Sequence, residues 1–313
     1  MVLLPSRGLV GTCHNWSGEA ALAKGFAMDQ PGITRCGNTE FRWGERTYVM
    51  GILNLSPDSF SGDGITNLEA AVAQAHHFVS QGADILDIGG ESTRPGSAPV
   101  SIDEETMRVV PVIERLASEI PIPLSVDTYK SEVAQRALEA GATMINDQWG
   151  LKKDTHLAEL AAKRDTPIIL MSNQRDKGGY DSGIQRDVAY YDDLVNEVTS
   201  SLENSMALAL KLGVRRENII LDPGIGFGKS WRQELEIIRR LDELRELGRP
   251  ILIGPSRKSF IGMVLDLPAN ERLEGTAAAI AIGISKGADI VRVHDVQQMV
   301  RVCRMSDAIV RWS

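Results

Sequence analysis

Three short apolar runs each end in a side chain that can read the edge of a flat ring. Leu124-Ser125-Val126 ends at Asp127, Met144-Ile145 at Asn146, and Ile219-Ile220-Leu221 at Asp222. Two carboxylates and an amide brought together would match a heterocycle that displays adjacent N–H donors and ring-nitrogen acceptors. In a buried pocket each mismatch costs about 1–3 kcal/mol, enough to select among ligands. An acid at a strand end can also simply cap the helix that follows. One such residue therefore says little, and the recurrence is what points to a site.

Basic residues end other runs. Lys258 lies in Ser256-Arg257-Lys258-Ser259, directly after Ile251–Gly254, where a lysine could meet a ring carbonyl and a small anion. Arg292 and His294 flank Val293. Strand alternation puts both on one side, and an arginine fork beside a histidine suits a phosphate or pyrophosphate. Two polar, glycine-containing loops, Asn54–Gly64 and Glu91–Gly96, hold Phe60 and Arg94. Both are long for strand-to-helix connections, and such loops can close over a ligand and exclude water. The stretch Pro223–Ser230 is rich in glycine but matches neither the phosphate-binding P-loop nor the dinucleotide fingerprint.

Polar groups at many successive strand ends converge only if the strands are parallel and arranged in a ring. The pattern supplies such strands: Val49–Leu55, Ile85–Gly90, Leu124–Thr128, Met144–Asp147, Pro167–Met171, Ile219–Asp222, Ile251–Gly254 and Asp289–Val293. An amphipathic segment follows each. Leu68–Gln81 carries apolar residues at 68, 71, 72, 75, 78 and 79 and stops at Gly82. Ser101 and Glu104 are spaced as a capping box for the next helix. Further helices are expected over 131–140, 155–164, 190–212, 231–247, 271–286 and 296–312. This alternation predicts an α/β fold, a (β/α)8 TIM barrel with right-handed crossovers. A hairpin over Phe41–Met50, turning at Gly44-Glu45-Arg46, is expected to lead into it and cover the barrel bottom. Residues 1–38 show no clean period and read as an extension, which leaves 39–313 for the barrel domain.

The totals limit the partners. The chain has 313 residues, a formal charge of −8 and 5% aromatics. A negative chain has no bulk electrostatic grip on nucleic acid or an anionic membrane, so an anionic ligand needs local cations such as Arg94, Lys258 and Arg292. No run approaches the roughly 18 apolar residues of a membrane span, and the start lacks the pattern of a secretory signal. Cys13, Cys36 and Cys303 are neither paired nor spaced for zinc or a redox dithiol. A reducing, cytoplasmic compartment is expected.

Seven motifs, taken in order, resemble the dihydropteroate synthase family, which joins a pterin to p-aminobenzoate in folate synthesis. They are MGILNLSPDSFSGDG, DILDIGGESTRPG, SVDTYK, INDQWG, LDPGIGFGK, SRKSFIG and RVHDV, within residues 41 to 313. The resemblance implies that Asp127, Asn146, Met171, Asp222 and Lys258 bind the pterin of 6-hydroxymethyl-7,8-dihydropterin diphosphate. It implies that Asn54, Arg292 and His294 hold the pyrophosphate, and that Asn54 also helps place Mg2+. Phe60, Thr93, Arg94, Pro95 and Ser259 would form the p-aminobenzoate pocket. Asp127, Lys258 and Arg292 would be the catalytic groups, in a homodimer.

Three departures from the family pattern stand out: Ser172 where a histidine is frequent, Pro255 before the lysine turn, and Gln148-Trp149 where smaller residues are usual. Two other readings share part of the pattern. A corrinoid-linked methyltransferase barrel would keep the pterin acids and the asparagine but would not need STRPG or SRKS. A non-catalytic pterin-binding paralogue would have lost Asn54, Arg94, Lys258 or Arg292, and all four are present.

Overall fold

A computed structural model describes residues 32–56, 67–92, 98–175 and 193–311 of the chain. Its centre is a ring of eight parallel strands: β3 Tyr48–Asn54, β4 Ile85–Gly89, β5 Leu124–Asp127, β6 Met144–Asp147, β7 Ile168–Met171, β8 Ile219–Asp222, β9 Leu252–Ile253 and β10 Ile290–Val293. They pair in the order β8-β7-β6-β5-β4-β3-β10-β9, and a parallel bridge from Leu221 to Ile251 closes the ring. The expected barrel is therefore present. The strands are short and apolar on both faces because helices cover the outside while other strands cover the inside.

Alternation sorts the residues of each strand into two cores. Outward residues such as Val49, Leu86, Val126, Ile145 and Leu221 pack beneath the helices. Inward residues Met50, Ile85, Met144, Ile169, Ile220, Leu252 and Ile290 form a separate apolar floor. Further along the same inward rows come Asp87, Asp127, Asn146, Met171, Asp222 and Arg292. Register keeps this parity around the ring, with Asp127 opposite Asn146 and Met171 opposite Asp222. The barrel is thus sealed at one end and polar at the other.

The hairpin that seals it lies one strand earlier than expected. Strands β1 Ile33–Cys36 and β2 Thr39–Arg42 pair antiparallel around Gly37-Asn38. A two-residue Gly-Asn connection is a hairpin signal in its own right, and Gly37 has φ +56°. Tyr48–Met50 instead begins the first barrel strand, since the run continues unbroken through Gly51–Asn54 with burial on both faces. The first hairpin strand consequently falls inside the segment expected as an extension, and residues 1–31 lie outside the described part. Phe41, Trp43 and Tyr48 plug the floor with ring centroids 4.9–5.5 Å apart. The indole N–H of Trp43 donates to Thr34 Oγ1 at 2.9 Å.

The helices are α1 Leu68–Ser80, α2 Ile102–Glu119, α3 Ser131–Glu139, α4 His156–Arg164, α5 Leu194–Lys211, α6 Trp231–Arg239, α7 Ser259–Leu265, α8 Leu273–Ser285 and α9 Val296–Val310. Several boundaries differ from expectation. At α2, Ser101 Oγ accepts from the Glu104 N–H, but the Glu104 carboxylate turns to Arg108 one turn on, so only half of the expected capping box forms. The reciprocal box forms instead at α6, between Ser230 and Gln233. Asp193 caps α5, and residues 190–192 of the expected helix lie outside the described part. The expected helix over 231–247 breaks after Arg239 into a tighter turn over Leu241–Leu247, where Arg240 ties to Glu236, Glu243 and Asp193. Between Gly254 and residue 271, where no helix was expected, the chain forms α7. Among the described residues no helix is long and apolar enough to cross a membrane.

Candidate active site

Asp87, on β4 and fully buried, is the hub of the polar end. Its Oδ2 accepts from Asn146 Nδ2 at 2.9 Å and from Arg292 Nε at 2.6 Å. Arg292 Nη2 reaches on to Asp127 Oδ2 at 2.8 Å. Gln148 Nε2 donates to the other oxygen of Asp127. One side chain thus fixes both an expected pterin ligand and the expected pyrophosphate ligand. The sequence reading did not assign Asp87 a role. Its signal was an acid inside the apolar run Ile85–Gly89, two residues from the strand end and on the inward parity, which burial obliges to find partners.

The carboxylates here are held far from their usual range. Burial, reinforced by the neighbouring Asp87 charge and opposed by Arg292, lifts Asp127 to about 7. Burial lifts Asp222 to about 6 against the Gly224 N–H, which donates to its Oδ1 at 2.7 Å. Asp147 is also buried, but it accepts from the N–H groups of Trp149 and Leu151 at 2.9 and 2.6 Å. It caps its own turn, the ordinary role of a strand-end acid.

Lys258 approaches from the turn after β9. Arg257 has φ +57°, uncommon for a residue with a side chain. Three contacts hold it there: a fork to Asp295 at 2.6 and 3.0 Å, a hydroxyl of Thr276 that accepts from its N–H, and Arg272 donating to its carbonyl. Strain held by surrounding contacts is a mark of a functional turn. Lys258 then lies against the glycine-rich loop after β8, its ammonium 4.4 Å from the Phe227 ring centroid. A Cβ on Gly226 (φ +84°) would stand 2.7 Å from the lysine Cδ, so glycine is required there for both backbone and space. Burial, with Arg175 and Arg292 nearby, pushes the ammonium down to about 8. Of the three glycines of this stretch, Gly226 makes room for the lysine, while Gly224 and Gly228 lie against the backbone of Ser172 and of Gln174 and Arg175.

His294 Nδ1 is 2.9 Å from Ser256 Oγ, which also accepts from the His294 N–H. Asn54 ends β3, the strand beside β10. Met171 is buried beside the Asp222 turn, where a Cβ on Gly224 would meet its Cγ at 3.2 Å. Ser259 opens α7 and is exposed. Phe60, Thr93, Arg94 and Pro95 lie outside the described residues. Of the second loop only Glu91 and Ser92 are described, and Lys130 Nζ binds Glu91, the Val100 carbonyl and Glu105 together.

The departures resolve individually. Ser172 Oγ accepts from Gln174 Nε2 at 2.9 Å, on the opposite strand parity from Met171, away from the ring of acids. Gln148 does enter the site, through Asp127. Trp149 instead packs edge-on against Tyr129, centroids 6.4 Å apart. The Pro255 carbonyl accepts the Lys258 N–H at 3.2 Å and closes the lysine turn.

Known proteins similar to this chain are pterin-binding enzymes. Residues 50–294 match the family model described as pterin binding enzyme. A dihydropteroate synthase of Clostridium beijerinckii is 50% identical over 279 residues, 88% of this chain and 99% of the relative. The chain belongs to the dihydropteroate synthase family. The synthase structure from Clostridium difficile determined with pteroic acid has a TM-score of 0.77 and 49% identity, covering 86% of this chain and 98% of that one. The Xanthomonas albilineans synthase with 4-aminobenzoic acid has a TM-score of 0.79 and 39% identity, covering 88% and 97%. The family's motifs map onto the strand ends described above. Asp87, Phe227 and Arg257 join this site only through the structure, as does the contact of Gln148 with Asp127.

Proposed function

We propose that the chain is a dihydropteroate synthase, joining 6-hydroxymethyl-7,8-dihydropterin diphosphate to p-aminobenzoate to give 7,8-dihydropteroate and pyrophosphate. The observation that carries this reading is the convergence of Asp127, Asn146, Asp222, Lys258 and Arg292 at one end of the barrel. In this reading Asp222 and Asp127 accept from ring N–H groups, Asn146 reads a ring nitrogen, and Lys258 donates to the ring carbonyl. Arg292 uses two donors of its guanidinium on Asp87 and Asp127, which leaves further N–H groups of the five for an anion. With His294 and Asn54 it holds the pyrophosphate. The C–O bond to the pterin methylene breaks with its electron pair leaving on pyrophosphate. The arylamine nitrogen forms the new C–N bond and loses a proton. The chain contributes position and charge balance, and no covalent protein intermediate is required.

Magnesium belongs to this reading through the substrate. Among the described residues no group of three or more His, Cys, Asp or Glu side chains is arranged to hold a metal. Mg2+ keeps waters and binds largely through substrate phosphate oxygens, and the Asn54 amide oxygen would be the protein's hard donor. When bound, the ion offsets charge on the departing pyrophosphate. The buried free thiols of Cys36 and Cys303 suit a reducing, cytoplasmic setting.

The test is pyrophosphate release from the pterin diphosphate with Mg2+, with and without p-aminobenzoate. Release dependent on p-aminobenzoate, with dihydropteroate formed, supports the synthase. Pterin binding without turnover would favour a non-catalytic relative. For Arg94→Ala we expect KM for p-aminobenzoate to rise roughly tenfold or more, the scale of one charge-assisted hydrogen bond, with pterin binding little changed. An equal loss in both would remove Arg94 from that pocket.

The charges predict the pH profile. Asp127 is ionised above about 7, and Lys258 keeps its proton below about 8. Both are charged together only in that window, so kcat/KM for the pterin diphosphate should be a narrow bell reporting the free enzyme. Groups at their ordinary values would give a plateau from about 4 to 10, and a flat profile between pH 5 and 9 would contradict the assignment.

The homodimer has a candidate face. Met263 and Val264 on α7, Ile282 on α8, and Met305 and Ile309 on α9 are 50–70% exposed, on helices that pack side by side. Such an apolar surface on neighbouring helices suits a self-complementary two-fold contact. Sedimentation should find a dimer that Ile309→Glu dissociates, and a monomeric parent chain would end this proposal.

A further inference from the structure

Lys229 ends the motif LDPGIGFGK, yet nothing in the reaction above uses it. It is 5% exposed. Its ammonium donates to three backbone carbonyls: Gly224 at 2.8 Å, Ser172 at 3.2 Å and Phe227 at 3.2 Å. These account for the three donors an ammonium has. Two of the carbonyls belong to its own loop, and the third lies at the end of β7, where the Ser172 N–H in turn donates to the Asp222 carbonyl at 2.8 Å. The counter-charge comes from Glu234, itself 2% exposed on α6. A buried cation placed on neutral carbonyls is costly unless those carbonyls need fixing.

What the loop does shows why they would. Phe227 presents its ring to the ammonium of Lys258 at 4.4 Å, and on the same ring rests Arg175, at 4.6 Å. Gly226 leaves the space through which the Lys258 stem passes. Gly224 supplies the N–H that orients Asp222. Lys229 grips the residues on either side of Gly226, at Gly224 and at Phe227.

We propose that Lys229 is a positioning residue for the pterin site: it closes the loop Pro223–Ser230 onto β7 so that Phe227 and Gly226 hold Lys258, and Gly224 holds Asp222, in the geometry that receives the ring. The proposal rests on the reading that this site takes a pterin. It assigns Lys229 no contact with substrate. Its effect passes through Lys258 and Asp222.

The experiment measures the affinity of the full chain for the non-reacting pterin 6-hydroxymethyl-7,8-dihydropterin by titration calorimetry. Lys229→Met should weaken it roughly ten- to a hundredfold, the range for leaving buried carbonyls without a donor. Because that change strands a buried Glu234, the charge-balanced pair Lys229→Met with Glu234→Gln is measured alongside and should lose a similar factor while regaining thermal stability. The decisive readout is coupling with Lys258. On a Lys258→Ala background, Lys229→Met should cost clearly less affinity than it does alone, with the remainder passing through Asp222, since residues acting through one another are not additive. Full additivity, or unchanged affinity in the charge-balanced pair, overturns the proposal. Absence of pterin binding by the unaltered chain overturns instead the synthase reading on which it rests.

Discussion

Lys258→Ala should reduce affinity for the pterin by roughly a hundredfold, about 3 kcal/mol at the upper range for a buried, charge-assisted hydrogen bond. The ammonium is the group assigned to the ring carbonyl, and the protein has invested in its placement. Arg257 is held at φ +57° one residue before it, Phe227 faces it at 4.4 Å, and Gly226 gives way to its stem. Removing it also takes one of three cations from the surroundings of Asp222, leaving Lys229 and Arg292, so that acid should stay protonated to higher pH. Lys258→Arg should not restore binding. The guanidinium is larger and planar, and the channel already brings the lysine Cδ within 2.7 Å of where a Cβ at Gly226 would stand. Titration with the non-reacting pterin checks this, and parental affinity in either variant would take Lys258 out of the site.

Asp87→Ala is expected to be the most destabilising change in the barrel interior, by about 3–5 kcal/mol, the cost of stripping one partner from a buried charge pair. Three facts set that size. The carboxylate is fully buried. It accepts from two donors, Asn146 and Arg292, at 2.9 and 2.6 Å. Among the described residues Arg292 would keep only Asp127 as its carboxylate partner. Asp87→Asn preserves the volume and one acceptor, so it should recover part of the stability. It should not recover turnover, because Arg292 would lean more heavily on Asp127, the acid proposed to bind the pterin. Urea unfolding of the three proteins at one pH reads the stability, and pyrophosphate release reads the turnover. Both variants within about 1 kcal/mol of the parent would show that the hub is not a hub.

These two residues illustrate different kinds of information. Lys258 was readable from the linear chain, because a lysine just past a buried run sits at a strand end whatever the ring size. The same holds for Asp127, Asn146, Asp222 and Arg292, and for the alternation that implied the barrel. Strand and helix periods are local properties of side-chain direction, and so are stop signals such as Gly82 and Gly287. The hairpin shows how local reading slips. Gly37-Asn38 carried the turn signal, but the aromatic run beyond it drew the hairpin to a strand that tertiary packing required for the ring.

By itself, then, the sequence determined the eight-unit alternation, the polar strand ends and the motifs that mark the family. The tertiary structure decided which of those polar groups touch. Arg292 meets Asp87 across 205 residues of chain and Asp127 across 165. It decided that Gln148 would reach Asp127, that Lys229 would fasten the loop carrying Phe227, and that Arg257 would be held in a left-handed turn. The physical reason is closure of the barrel. Period and parity say which face a side chain takes, but only the ring, with its particular register, sets which inward side chains come within hydrogen-bonding distance. Burial in the ring then raises Asp127 and Asp222 and lowers Lys258.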